Sequence, residues 1–298
     1  MAKLRLIAPA KINWTLEVLG RRPDGYHEVR TILQTVDLWD EVELEPSEQV
    51  HVCMSGVGEP EKSISAESNL ALRAATALRE ASGGKEGATV VLRKRIPVAA
   101  GLGGGSSDGA AVLRGLNRLW GLSLSAEELA EMAAGLGSDV PFFLRGGTAL
   151  AEGRGERLRP LEDARPRPFV LAWPQAVLRD KTARMYGTLR TQHYSDGSAS
   201  GRLVERLRGG QRIRDEDICN VFEGVLGEVM TEAARLFERV AACGLGCPHL
   251  AGSGPALFLL PEEGRPIEPV LRELRSLGLE ARETRALPAA EAAAWTEE

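Results

Sequence analysis

Polar and apolar positions alternate along Lys11–Val18, with Ile12, Trp14, Leu16 and Val18 on one side and Lys11, Asn13, Thr15 and Glu17 on the other. A period of two predicts a strand with one buried face and one solvated face. A shorter alternation over 3–7 precedes it across Pro9. Arg21-Arg22-Pro23-Asp24-Gly25 reads as a turn, since proline presets φ and glycine accepts a positive one. Strand-like runs follow at 29–36, 41–45 and 50–54. The period then becomes helical. Ser68-Asn69 can cap a helix whose Leu70, Ala74, Ala77, Leu78 and Ala81 face inward, and Gly83-Gly84 ends it. A strand over 88–93, a glycine-rich loop over 96–108 and a helix with Val112, Leu113, Leu116, Leu119 and Trp120 on one face come next. Ser125-Ala-Glu-Glu128 is a capping box for a helix burying Leu129, Met132, Ala133 and Leu136, and Pro141 suits the first turn of another.

The charged, proline-bearing stretch Glu152–Pro168 marks a boundary. It divides the chain into an N-terminal domain at 1–162, a C-terminal domain at 163–286 and a loosely attached tail at 287–298. The second domain reads as a strand (169–173), a helix near Thr182 carrying Tyr186, a mobile Ser/Gly loop at 193–202, and a long helical pattern at 217–242. The glycine turn Ala251-Gly-Ser-Gly-Pro255 then feeds an apolar strand, followed by a helix (265–276) and a last strand (279–285). These elements predict an α+β protein with a βαβ-like second half.

Composition narrows the class. A chain of 298 residues, 43% hydrophobic, suits two domains with sizeable cores. Net charge is −5 with no Lys/Arg block, so no nucleic-acid partner is implied. No apolar run reaches the length of a membrane span, and the first residues lack a signal-peptide pattern, which predicts a cytoplasmic protein. Monomer and homodimer both stay open. His51-x-Cys53 with Cys243 and Cys247-Pro-His249 has zinc-ligand residue types, but buried inert thiols are the preferred reading.

The chemistry concentrates in Ile96–Asp108, Ile-Pro-Val-Ala-Ala-Gly-Leu-Gly-Gly-Gly-Ser-Ser-Asp. A strand, a loop without side chains and a helix N-terminus leave backbone N–H groups pointing at one spot, which suits phosphate. The loop carries no Gly-Lys-Ser/Thr, no dinucleotide glycine register, and the chain has no protein-kinase motifs. By pattern alone, Lys11 and Asn13 belong to a solvated sheet face and Asp139 to an ordinary helix cap.

The stretch Pro97–Asp108 resembles the second motif of the GHMP small-molecule kinases. Ala8-Pro-Ala-Lys-Ile-Asn13 with Arg21–His27 is similar to their first motif, Leu136-Gly-Ser-Asp-Val-Pro141 to the segment bearing a catalytic aspartate, and Ala251–Pro255 to the third motif. The triple glycine and the Tyr26-His27 pair are similar to one branch, whose small-molecule substrate is a cytidine diphosphate-linked polyol phosphate. The resemblance covers about 5–285. It implies the two-domain GHMP kinase fold, with a ribosomal protein S5 domain 2-like N-terminal domain and a ferredoxin-like C-terminal domain, and it implies ATP and Mg²⁺ as cofactors. By the same resemblance, Asp139 is the general base and Lys11 its charge-stabilising neighbour. ATP contacts fall on Asn69, Lys94 and the backbone to Ile96, Pro97, Gly101, Leu102, Gly103, Gly104, Gly105, Ser106, Ser107 and Asp108, with Mg²⁺ near Ser106 or Ser107. The acceptor falls to Asn13, Tyr26, His27, Thr182 and Tyr186, although Tyr186 also suits a core position. Ala99 and Ala100 stand where the family usually has glycine. Another GHMP kinase acting on mevalonate or homoserine, and a non-catalytic ligand-binding protein of the same fold, are the rival readings.

Overall fold

The computed structural model describes residues 3–56, 68–165, 167–175 and 181–297. Two long strands, β1 (Leu4–Arg21) and β2 (His27–Ser47), pair antiparallel and join at the predicted turn, where Gly25 takes φ +87°. They fuse the shorter runs that alternation separates, with register shifts at Pro9/Ala10, Asn13/Thr15 and Val18/Gly20. β3 (His51–Gly56) lies parallel to β4 (Gly87–Lys94), and β4 joins β2. β5 (Thr148–Gly153) pairs with the other end of β2, and β6 (Arg157–Pro160) with β5. Helices α1 (Leu70–Ala81), α2 (Gly104–Leu119), α3 (Ala126–Leu136) and α4 (Val140–Arg145) pack on this sheet over Leu6, Leu44, Leu78, Leu113 and Phe142. The predicted capping box is present: Ser125 Oγ accepts from Glu128 N, and the Glu128 carboxylate accepts from Ser125 N.

The second layer holds β7 (Phe169–Pro174), α5 (Lys181–Thr188), α6 (Ser198–Arg208), α7 (Leu226–Val229), α8 (Thr231–Ala242), β9 (Pro248–Leu250), β10 (Leu257–Leu259), α9 (Ile267–Ser276) and β11 (Leu279–Thr284), while β8 (Cys219–Asn220) runs parallel to β1 in the first sheet. The second layer's sheet runs β11-β7-β10-β9, all antiparallel, which is the ferredoxin-like split βαβ order. The predicted long helix over 217–242 is instead a 3₁₀ turn, Val221–Val225, followed by α7 and α8, separated at Met230 (φ −135°, ψ +71°). One apolar core spans both layers: Ile12 and Trp14 of β1 meet Phe169, Leu203 and Phe258, with Trp14 edge-on to Phe169 at 5.5 Å and to Phe258 at 5.6 Å.

The polar face of β1 is not solvated. Lys11, Asn13, Thr15 and Glu17 are all buried, because the second layer covers that strand. The register shift between Asn13 and Thr15 also splits the set, since one extra residue reverses the side on which later side chains emerge. Lys11 and Asn13 line the cleft between the layers, whereas Thr15 and Glu17 turn to α6.

Three further expectations are corrected. The 193–202 segment is not a mobile loop: it enters α6, and the Glu17 carboxylate accepts from Ser195 Oγ (2.9 Å), Ser200 N (2.7 Å) and Ser200 Oγ (2.6 Å). An acid four strand-residues from Asn13 thus caps a helix in another layer. The tail is not loose. Leu287 and Ala292 are buried, α10 (Ala289–Ala292) follows, and β12 (Trp295–Glu297) pairs with Leu4–Leu6 of β1, covering an open sheet edge. Cys53 and Cys247 are exposed free thiols rather than buried ones. Among the described residues, no three His, Cys, Asp or Glu side chains gather as a metal site, and no helix is long and apolar enough to cross a membrane.

Replacing Glu17 by alanine leaves Ser195, Ser200 and a helix amide without their acceptor. Glu17→Ala is expected to lower the unfolding free energy by about 1–3 kcal/mol and to speed amide exchange at 195–202. Unchanged exchange there would show that the carboxylate does not hold the segment.

Candidate active site

A cleft of about 1020 Å³ opens where β1, the glycine loop, α4 and α5 meet. Lys11 sits on its floor. Its ammonium donates to Asn13 Oδ1 at 2.9 Å and lies 3.6 Å from Asp139 Oδ2, while Asn13 Nδ2 donates to Thr31 Oγ1 at 2.7 Å. Asp139 occupies the N-cap position of α4, with Pro141 just inside, yet its side chain makes no capping bond. The carboxylate is therefore free for the cleft, where pattern alone assigned an ordinary cap.

The glycine loop forms one wall. Leu102 O accepts from Lys11 N (2.9 Å) and Ala100 O from Ala256 N (3.0 Å), so the loop backbone is tied to both layers. Gly103 caps α2 in the left-handed region (φ +73°) without a side-chain bond, so among the described residues no capping side chain occupies the amides of the first turn. A Cβ on Gly101 would lie 2.8 Å from Gly254 O, and one on Gly252 would lie 2.6 Å from Gly101 O and 3.0 Å from Lys11 Nζ. The two glycine turns touch through backbone.

The opposite end is aromatic. His27 stacks on Tyr186 with ring centroids 5.2 Å apart and planes at 25°, and Tyr186 meets Phe222 edge-on at 4.9 Å. Tyr26 is exposed, with the Arg154 guanidinium 4.8 Å over its ring. Burial and the neighbouring Arg21 lower the His27 pKa, which keeps a neutral imidazole able to donate and accept. Burial and the Asp139 charge hold the Tyr186 phenol above its ordinary range. Tyr186 is both a packing residue and a cleft wall. Thr182 Oγ1 is within 2.8 Å of Ser253 Oγ.

Ten of the expected site residues line this cleft: Lys11, Asn13, Tyr26, His27, Gly101, Gly103, Ser106, Asp139, Thr182 and Tyr186. Others lie beneath the loop. The Leu102 side chain is core, so it offers only backbone. Lys94 and Asp108 are buried and ion-paired with each other, and Lys94 also pairs with Asp40. Burial and the nearby Asp40 raise the Asp108 pKa, while Lys94 opposes that rise. Asp40 Oδ1 accepts from the amides of Arg95 (2.5 Å) and Ile96 (2.8 Å), so those backbone donors are already used. Asn69 Oδ1 caps α1 through Ala71 N and Leu72 N. Asn69, Lys94, Pro97, Gly104, Gly105, Ser107 and Asp108 are not in the cleft wall. Pairing between residues far apart in sequence explains the shift: a loop motif shows which residues are near, not which way they turn.

Sequence reasoning missed Lys181, Ser253, Arg154 and Tyr194, all of which line the cleft. Lys181 precedes the expected Thr182, so the only signal was adjacency.

If Lys94 serves the fold rather than a ligand, Lys94→Ala strands two buried carboxylates and is expected to cost about 3–5 kcal/mol of stability, read by urea denaturation. A ligand contact alone would leave the unfolding midpoint in place.

Residues 69–147 match the profile of the GHMP kinases N terminal domain. A 4-diphosphocytidyl-2-C-methyl-D-erythritol kinase of Symbiobacterium thermophilum is 43% identical over 274 residues, covering 91% of this chain and 95% of the relative. One of Dehalococcoides mccartyi is 39% identical over 93% and 96%. A crystal structure of 4-(cytidine 5'-diphospho)-2C-methyl-D-erythritol kinase superposes with TM-score 0.77 at 35% identity, covering 95% of this chain and 99% of that one. A homoserine kinase of Cytophaga hutchinsonii shares the fold at TM-score 0.71 with 17% identity. With relatives of this name matching nearly end to end, the chain belongs to the 4-diphosphocytidyl-2-C-methyl-D-erythritol kinases of the GHMP kinase family.

Proposed function

We propose that this kinase transfers the γ-phosphoryl group of ATP to the 2-hydroxyl of 4-diphosphocytidyl-2-C-methyl-D-erythritol, a cytoplasmic step of the non-mevalonate isoprenoid pathway. The observation that carries the reading is the Lys11–Asp139 pair, 3.6 Å apart, between an uncapped helix N-terminus and an aromatic shelf. Asp139, free of capping, accepts the proton of the acceptor hydroxyl. Lys11, oriented by Asn13 and 3.6 Å from that carboxylate, offsets charge on the transferring group. The uncapped start of α2, reached from the cleft at Gly103 and Ser106, holds the donor phosphates. Tyr26, His27 and Tyr186 take the cytosine ring, with the neutral imidazole reading its polar edge.

Mg²⁺ fits this donor set. Ser106 lines the cleft, Ser107 Oγ is buried without a partner, and no cage of three His, Cys, Asp or Glu forms among the described residues. That combination suits an ion carried on phosphates and touched by a serine hydroxyl. When bound, it neutralises phosphate charge during transfer.

An ADP-release assay across 4-diphosphocytidyl-2-C-methyl-D-erythritol, mevalonate and homoserine is expected to show turnover only with the first. Asp139→Asn is expected to bind both substrates and to lose about 10²–10⁴ in kcat. An unchanged kcat would remove Asp139 as the base, whereas turnover with another acceptor alone would overturn the substrate.

A further inference from the structure

Among the described residues three lysines are deeply buried, Lys11, Lys94 and Lys181, and the last two have opposite surroundings. Lys94 has two carboxylate partners, Asp40 and Asp108, and its pKa is raised although burial opposes that. Lys181 is equally buried, at 4% exposure, and has no carboxylate within ion-pair distance among the described residues. Its ammonium donates to Gly254 O and, at 3.0 Å, to Ser253 Oγ, both in the turn between β9 and β10. Lys11 abuts the same turn at Gly252. Two cations thus meet one short turn, and among the described residues Asp139 is the carboxylate paired with Lys11 while none pairs with Lys181.

A buried cation without a counter-charge is costly unless it is neutral or its partner arrives from outside. Lys181 lines the cleft, so an incoming anion can reach it. Its place along α5 identifies which anion. Tyr186, the cytosine shelf, lies five residues on, about 7–8 Å along the helix. Lys11, whose charge bears on Lys181, lies 3.6 Å from Asp139. We propose that Lys181 binds the diphosphate of the acceptor, between the cytosine shelf and the reacting hydroxyl, and so selects diphosphate-linked acceptors over simple alcohols. This inference rests on the acceptor reading above.

Burial, with the Lys11 charge adding to it, pushes Lys181 down to about 7. Above that pH the free protein carries a neutral amine, and binding of a diphosphate draws a proton onto it. The other charged or titratable groups lining the cleft are Lys11 and Arg21 on β1, Tyr26 in the turn after it, His27 on β2, Asp139 before α4, Arg154 beyond β5, Tyr186 on α5 and Tyr194 before α6. His27 is lowered and Tyr186 raised, so neither gains a proton at about pH 8.

The test compares cytidine with CDP-glycerol, whose diphosphate takes up no proton near neutrality, by calorimetry at about pH 8 in buffers of different ionisation enthalpy. Wild-type protein is expected to take up close to one proton with CDP-glycerol and none with cytidine. In Lys181→Met the uptake is expected to vanish and CDP-glycerol affinity to fall about 10–100-fold, with cytidine affinity unchanged. Because Lys181 has no carboxylate partner among the described residues, its replacement strands no opposite charge and the thermal midpoint is not expected to drop. Retained affinity and uptake in the variant overturn the inference, as does equal weakening of both ligands with a lowered midpoint, which marks a structural lysine. Wild-type protein that binds neither ligand sinks the acceptor reading, and this inference with it.

Discussion

The close approach of two backbone turns governs this molecule. The loop Ala99–Gly103 is held by Lys11 N on one side and Ala256 N on the other, and Gly101 and Gly252 meet where a Cβ on either would strike a carbonyl oxygen. Side chains at those positions would part the turns, and the two layers carry everything else in the site. Lys11 comes from the first layer, while Lys181, Thr182 and Tyr186 come from the second. Hydrogen bonds of ordinary strength suffice here because the apolar core around Trp14, Phe169 and Phe258 already presses the layers together.

That arrangement separates charge that supports the loop from charge that serves ligands. Asp40 and Asp108 share the single ammonium of Lys94 beneath the loop, where removing that lysine leaves two carboxyls stranded in low dielectric. Lys11 and Lys181 line the cleft, and the partly exposed Asp139 is paired with Lys11. The positive charge on the cleft side is what a polyphosphate needs, and the mutual pairing on the buried side is what a stable fold needs.

Motifs made of local contacts were legible in the sequence. The capping box at Ser125, the turn at Gly25 and the glycine loop each depend on residues a few positions apart. The ordering of Ser195–Ser200 depends on Glu17, far away in sequence, and no local composition reports such a partner. The alternation over Lys11–Glu17 was read correctly as a strand and incorrectly as a face, because a single register shift reverses sidedness without altering the pattern of types. Resemblance brought Lys94 and Asp108 to the correct neighbourhood. Only the positions of Asp40 and its amide partners show that their side chains turn away from the cleft.

The departure from glycine at Ala99 follows the same logic. Ala99 adopts φ +54°, a region that costs an alanine roughly 1–2 kcal/mol. Next to it, Ala100 O is fixed by Ala256 N and Lys11 N is fixed on Leu102 O, so neighbouring hydrogen bonds impose the conformation whichever residue stands there. The positive φ belongs to the clamp rather than to the residue. A loop whose shape is imposed by both layers keeps its amides aimed when a glycine is replaced, provided the added methyl faces open cleft, as that of Ala99 does. At Gly101 the same substitution has no such outlet, since the added carbon would meet the backbone of the opposite turn.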